Sequence, residues 1–163
     1  MNTMASFPVE VREENEPLHN YSGHGWEGSE YRKHRFTSTT EIAAMIRKEL
    51  RRFAKKEGIK ISVRTEYFAG GSSIDVNVTS ISFDPFTECY KEYLRSDRNF
   101  IHNCRHMYNP HMRWILRRLK WTVNKYNFDD SESMIDYFSV NFYDHVDLNW
   151  ELRRDLEKEY ETV

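Results

Sequence analysis

The chain has 163 residues, with 24 Lys+Arg against 26 Asp+Glu, a formal net charge of −2 and a mean hydropathy of −0.83. Hydrophobic residues make up 39% and aromatics 15%, which excludes disorder along the whole length, and no apolar run approaches the ~20 residues of a membrane-spanning helix. The length suits one domain, no basic-then-apolar leader opens the chain, and two cysteines, Cys89 and Cys104, are too few for a disulfide framework, so a cytoplasmic protein is the default expectation.

Residues 1–37 carry no sustained period and are broken by Pro8, Pro17, Gly23, Gly25 and Gly28. They read as a flexible or loosely docked N-terminal arm, leaving 38–163 as a single domain. Ser38 and Glu41 have capping-box spacing, in which each side chain satisfies the other residue's backbone N–H. The helix they start puts Ile42, Ile46, Leu50 and Phe53 on one face, and Arg47, Lys48, Arg51, Arg52 and Lys55 on the other. Gly58 supplies its stop.

A hairpin over 59–80 follows. Ile59, Ile61 and Val63 alternate with polar residues, as do Ile74, Val76 and Val78, and Ala69-Gly70-Gly71 supplies the turn. Asp84-Pro85 and Asn109-Pro110 both read as N-cap plus first helical residue. The first of these helices runs to about Arg95. The second carries a core stripe of Met112, Ile115, Leu116, Leu119 and Val123, and the stretch between them is irregular. A long strand is predicted over 134–148, with Phe138, Val140, Phe142, Val146 and Leu148 on one face. Asn149 caps a last helix holding Leu152, Leu156 and Tyr160. The expected fold is α+β, a small antiparallel sheet (hairpin 59–80 plus strand 134–148) packed against amphipathic helices.

The near-zero net charge is an average over opposed blocks. Residues 41–65 carry net +5 and 91–125 net +7, against −4 over 66–90 and −8 over 126–163. Such blocks either cancel inside the fold or present separate faces to partners.

Two stretches carry a resemblance. Ile61-Ser62-Val63-Arg64, then Tyr67 and Gly70-Gly71-Ser72-Ser73-Ile74-Asp75-Val76, resemble the signature hairpin of a large polyvalent protein-associated domain found in phages, plasmids and conjugative elements. Tyr126-Asn127-Phe128-Asp129-Asp130-Ser131, with Asp136-Tyr137-Phe138 and Phe142-Tyr143, resemble the C-terminal strand of related small phage proteins. The resemblance covers about 36–148 and implies a mobile-element accessory protein, and it brings no established catalytic activity with it. It suggests action against host defence, including anti-CRISPR action.

Several residue sets could carry chemistry. Gly70-Gly71-Ser72-Ser73 lacks the Lys and following helix of a P-loop, so a hairpin turn is the expected role. Arg64 and Asp75 are expected as a cross-strand pair. His102, Cys104, His106 and His111, with Cys89, form the most metal-like cluster, but the spacing fits no zinc motif, so no metal and no cofactor is expected. Asp129, Asp130, Glu132, Asp136, Asp144 and Asp147 could gather round a divalent ion in a nuclease, although the run lacks EF-hand spacing. No GxSxG, HExxH or HxE…CxxC pattern occurs, so an enzyme is not expected.

Two binding surfaces remain. The helix after Pro110 carries Arg113, Trp114, Arg117, Arg118, Trp121 and Lys125 outside its core stripe, a basic-aromatic face suited to stacking bases and neutralising phosphates. Asp144, Asp147, Glu151, Asp155 and Glu157, with Tyr143, form an acidic surface that could imitate nucleic-acid phosphates in a nuclease groove. The leading expectation is a non-enzymatic protein that inhibits a host defence protein or ribonucleoprotein, such as a CRISPR effector, in the bacterial cytoplasm. The alternative is a nucleic-acid-binding accessory protein using two basic helices. It would act as a monomer, or as a homodimer built on Trp114 and Trp121, away from membranes.

Overall fold

Hydrophobic side chains on alternate residues of the hairpin need a cover on one face only, and the helices provide it. A computed structural model describes residues 25–96, 104–131 and 139–161. In chain order its elements are β1 (Trp26–Glu27), α1 (Tyr31–His34), α2 (Thr39–Glu57), β2 (Ile59–Phe68), β3 (Gly71–Ile81), α3 (Glu88–Arg95), α4 (Pro110–Asn124), β4 (Phe128–Asp129), β5 (Tyr143–Leu148) and α5 (Trp150–Glu161). The fold is α+β.

Helix α2 begins as its sequence dictates. The Ser38 side chain accepts from the Glu41 N–H, and the Glu41 carboxylate accepts from the Ser38 N–H at 3.1 Å. It stops at Gly58, whose φ of +67° lies in the left-handed region open to glycine. A Cβ there would also lie 2.4 Å from the Ser82 hydroxyl.

Strands β2 and β3 pair antiparallel around the Ala69-Gly70 turn, with Gly70 at φ +98°. Val63 faces Val76 and Arg64 faces Asp75, as the alternation requires. At the outer edge of β2, the Arg47 guanidinium donates to the Val63 carbonyl at 2.7 Å, occupying an acceptor that an edge strand otherwise leaves open.

The third strand departs from expectation in direction and length. β5 joins the far edge of β3 in parallel, with Val76 beside Val146, so the main sheet is mixed, in the order β2-β3-β5. It covers only Tyr143–Leu148. The buried Asn127 explains the late start. Its side-chain amide donates to the Phe142 carbonyl (2.9 Å) and accepts from the Phe142 N–H (3.2 Å). Asn141 likewise donates to the Tyr126 carbonyl. Backbone groups that would extend the strand are therefore held by the chain leaving α4. Val140 makes a lone bridge to Asp129, and Phe138 lies outside the described residues.

The core sits between one sheet face and two helices. Ile74, Val76 and Val78 of β3 are fully buried, as are Met112, Ile115, Leu119 and Val123 of α4. Ile42, Ile46 and Leu50 of α2 complete the cluster. Full burial of each such side chain stabilises the fold by about 1.5–3 kcal/mol.

The Asp84-Pro85 expectation is corrected. Asp84 accepts from the Phe86 N–H in a local turn, and Phe86 bridges to Tyr108 before α3 starts at its N-cap Thr87. Asn109 and Asn149 do cap α4 and α5. The last part of the N-terminal arm is paired with the body: β1 pairs with β4, and the Gly28 N–H donates to the Asn127 carbonyl.

Cys89 and Cys104, too few for a disulfide framework in the sequence reading, do form one disulfide with a Cα–Cα separation of 5.8 Å, so neither thiolate is free to ligate a metal. The bridge follows from chain geometry. Backbone pairing of Thr87 with Met107 and of Phe86 with Tyr108 brings the 104–108 segment beside the start of α3. It closes a loop of sequence separation 15, for which chain entropy gives about 3 kcal/mol. Replacing both cysteines by serine should lower the unfolding free energy by roughly 2–3 kcal/mol in urea titrations, and reductant should do the same to the parent. Equal stability with and without reductant would show that the bond contributes nothing.

Candidate functional site

Covering one sheet face with α2 and α4 sets the two helices side by side, and their contacts run in opposite directions. Glu57 lies 3.4 Å from His111, Phe53 meets the Trp114 ring at 5.6 Å, and Lys125 is ion-paired to Glu49 at 2.5 Å. Helical spacing then fixes what flanks this seam on the solvent side. On α2, Lys48, Arg52 and Lys56 recur every four residues, beside the contact row of Glu49, Phe53 and Glu57. On α4, Arg113 and Arg117 do the same beside Trp114 and Arg118.

Lys48, Arg51, Arg52, Lys55, Lys56 and Arg117 are all exposed. Among the described residues none of these six is ion-paired to a carboxylate. The carboxylates nearest the seam are engaged locally, Glu49 by Lys125 and the Tyr126 hydroxyl (3.5 Å), and Glu57 by His111.

The aromatic residues of the seam are packed rather than presented. Arg118 lies 4.3 Å from the centre of the Trp121 ring and 5.9 Å from that of Phe53. Lys125 approaches Trp121 at 5.5 Å. Trp114 is half-buried against Phe53 and the core. Of the basic-aromatic set expected from sequence, Arg117 is exposed, Arg113 and Arg118 are half-buried, and Lys125 is held by Glu49. Beside it stand Lys48 and Arg52 of the basic face of α2 expected from sequence, and the structure adds Lys56. The four-residue repeat from Lys48 through Arg52 is the sequence signal that finds Lys56.

The acidic set is divided. Glu157 is buried, accepts from the Tyr90 hydroxyl at 2.8 Å and lies 3.7 Å from Arg153. Asp147 accepts from the Tyr108 hydroxyl at 3.1 Å and from the Leu148 N–H. Asp144 is mostly covered, 3.7 Å from Lys120. Of the acidic set these three are buried or half-buried, and Glu157 and Asp147 are engaged by tyrosines within the fold. Glu151, Asp155 and Tyr143 are exposed. Helix α5 spends its inner face on α3 and the 81–86 loop, where Tyr160 donates to Asp84 at 3.0 Å and meets Phe86 edge-on.

The hairpin motif is a structural latch. The Tyr67 hydroxyl accepts from the Thr40 N–H at 3.1 Å, and the Ser72 hydroxyl lies 2.7 Å from that of Thr39. Those bonds from Thr40 hold the Tyr67 phenol below the usual tyrosine range. Ser72 is buried, so its hydroxyl is spent on the start of α2. Gly71 passes under the rings of Tyr143 and Phe68, and Ser73 faces Glu66.

Cys104 is bonded to Cys89, and His111 packs at a tilt against Phe83 with ring centres 4.5 Å apart. His106 is held below the usual histidine range by desolvation, then by the Arg113 and Arg105 charges. His102, Glu132 and Asp136 lie outside the described residues. Among the described residues no three His, Cys, Asp or Glu side chains are grouped to hold a metal ion.

Compared with protein-family models, curated proteins and solved structures, the chain matches none. The case for a function therefore rests on the geometry above.

The tyrosines that tie α3 to α5, the end of α4 to α2 and the 104–108 segment to β5 make stability sensitive to alkali. Burial, then the Glu157 carboxylate, pushes Tyr90 up to about 12; burial, then Glu49, does the same to Tyr126. Tyr108 is raised further by burial and Asp147. Each folded value lies above the unfolded value of about 10, so their contribution is complete below pH 10 and is lost as pH rises through about 12. Melting temperature should fall steeply across that interval, together with a cooperative rise in tyrosinate absorbance. In Tyr90→Phe the fall should be shallower.

Proposed function

We propose that this protein binds nucleic acid through the cationic track along the α2–α4 seam. One observation carries the reading: Lys48, Arg52, Lys56 and Arg117 stand exposed on adjoining helices with no carboxylate partner among the described residues, while the acidic helix α5 packs against α3. Opposed blocks that cancelled within the fold would have paired these cations with α5. Clustered cations on one rigid layer are the electrostatic footprint of a phosphate-binding surface. In the mobile-element setting implied by the hairpin motif, the role is that of an accessory protein and needs no catalysis.

The test is charge reversal at two exposed positions that support no core contact. Arg52→Glu with Arg117→Glu should weaken binding of a mixed-sequence oligonucleotide at least tenfold, with an unchanged far-ultraviolet spectrum. The parent should show log K falling linearly with log salt. Binding that ignores both the substitutions and the salt would refute the proposal.

A second reading, inhibition of a host defence complex, is favoured by one observation. Trp150 is 64% exposed and Tyr143 41%, and Trp150 adjoins the exposed Glu151 on a helix that also presents Asp155. Aromatic residues beside charges are common anchors of protein interfaces. Under this reading Trp150→Ala abolishes capture of a CRISPR effector or restriction enzyme, and Arg52→Glu does not.

A further inference from the structure

We infer that the α2–α4 track takes the phosphate backbone of a double-stranded nucleic acid rather than an unpaired strand. This rests on the nucleic-acid reading above and deepens it. Proteins that hold single strands combine a cationic groove with aromatic faces on which successive bases stack. Here the aromatic rings of the seam are already covered. The Trp121 ring has Arg118 at 4.3 Å and Lys125 at 5.5 Å, and Lys125 is anchored in turn by Glu49. Phe53 has Trp114 on one side and Arg118 5.9 Å from its centre. Trp114 also stacks with His111 and packs on the core. A base could stack on Trp121 only by displacing a guanidinium, which exchanges one aromatic contact for another and gains little.

The tryptophans thus serve to hold cations in place. Arg118 and Lys125 are fixed by rings and by a carboxylate, and the remaining cations form two rows, the exposed Lys48, Arg52 and Lys56 on α2, and the exposed Arg117 with the half-buried Arg113 on α4. Packed helices lie about 8–10 Å apart, so the two rows stand side by side on one rigid layer. A duplex offers two phosphate strands at a fixed separation and one charge per ~1.7 Å of axis, a denser and stiffer target than one strand. Two fixed cation rows without stacking platforms match the first target and not the second.

Fluorescence anisotropy with labelled oligonucleotides of equal length and sequence tests this on the full chain. The arms are a DNA duplex, an RNA duplex and the corresponding single strands, each titrated over a range of salt. Either duplex should bind at least tenfold more tightly than its single strand, with a log K against log salt slope of about −4.5 to −5.5 for five or six phosphates. Arg52→Gln should reduce that slope by about one. If the single strands bind as tightly as the duplexes, the duplex inference is overturned and the nucleic-acid reading stands. If no oligonucleotide binds, both fall. Trp121→Phe, a conservative change in ring size, provides the second check: a loss confined to single strands would reveal base stacking and overturn the inference.

Discussion

Strand β3 is the constraint on which the rest of the molecule depends. It is paired on both edges, and Ile74, Val76 and Val78 leave one face that water must not reach. Covering it takes two helices, because β2 and β5 extend the sheet beyond the width of one helix, about 10 Å. Helix α2 supplies Ile42, Ile46 and Leu50, and α4 supplies Met112, Ile115, Leu119 and Val123. Once both lie on the same sheet face they must touch, and their polar sides must point away together. The shared cationic layer is thus a consequence of hydrophobic coverage, with the Glu49–Lys125 and Glu57–His111 contacts setting the pairing along the seam.

The acidic half of the molecule has a different logic. Carboxylates placed among tyrosines and one arginine become joints: Glu157 with Tyr90 and Arg153, Asp147 with Tyr108. Buried hydrogen-bonded groups of this kind cost stability when a partner is removed, because the remaining group loses both water and its bond. The opening balance of −2 therefore conceals an unequal use of charge: Glu157 and Asp147 act as joints between elements, while Lys48, Arg52, Lys56 and Arg117 stand exposed.

The sequence was readable wherever structure is decided locally. The Ser38–Glu41 capping box, the Gly58 stop, the Asn109-Pro110 and Asn149 caps and the hairpin register all depend on residues within a few positions of one another. It was unreadable where a distant partner decides. Asn127 cuts short the strand predicted over 134–148, the Phe86–Tyr108 bridge delays α3 beyond Asp84, and tertiary pairing alone brings Cys104 to Cys89. Glu157 is intermediate: four residues after Arg153 and three before Tyr160, it lies beside the stripe of Leu152 and Leu156, a position that hints at burial. The parallel direction of β5 left no local mark, since alternation is the same in either direction.

That parallel strand has a consequence in time. Helix α2, β2 and β3 are contiguous, and their contacts close only short loops, so they can assemble as soon as they exist. Strand β5 must find β3 across two intervening helices, the kind of distant pairing that slows folding and comes late. Until it docks, the far edge of β3 is a bare row of amide and carbonyl groups, able to recruit any extended segment nearby. A chain interrupted after α4 would keep its cationic helices and hairpin but expose that edge permanently, so self-association rather than loss of helix is the failure that such a truncation would bring.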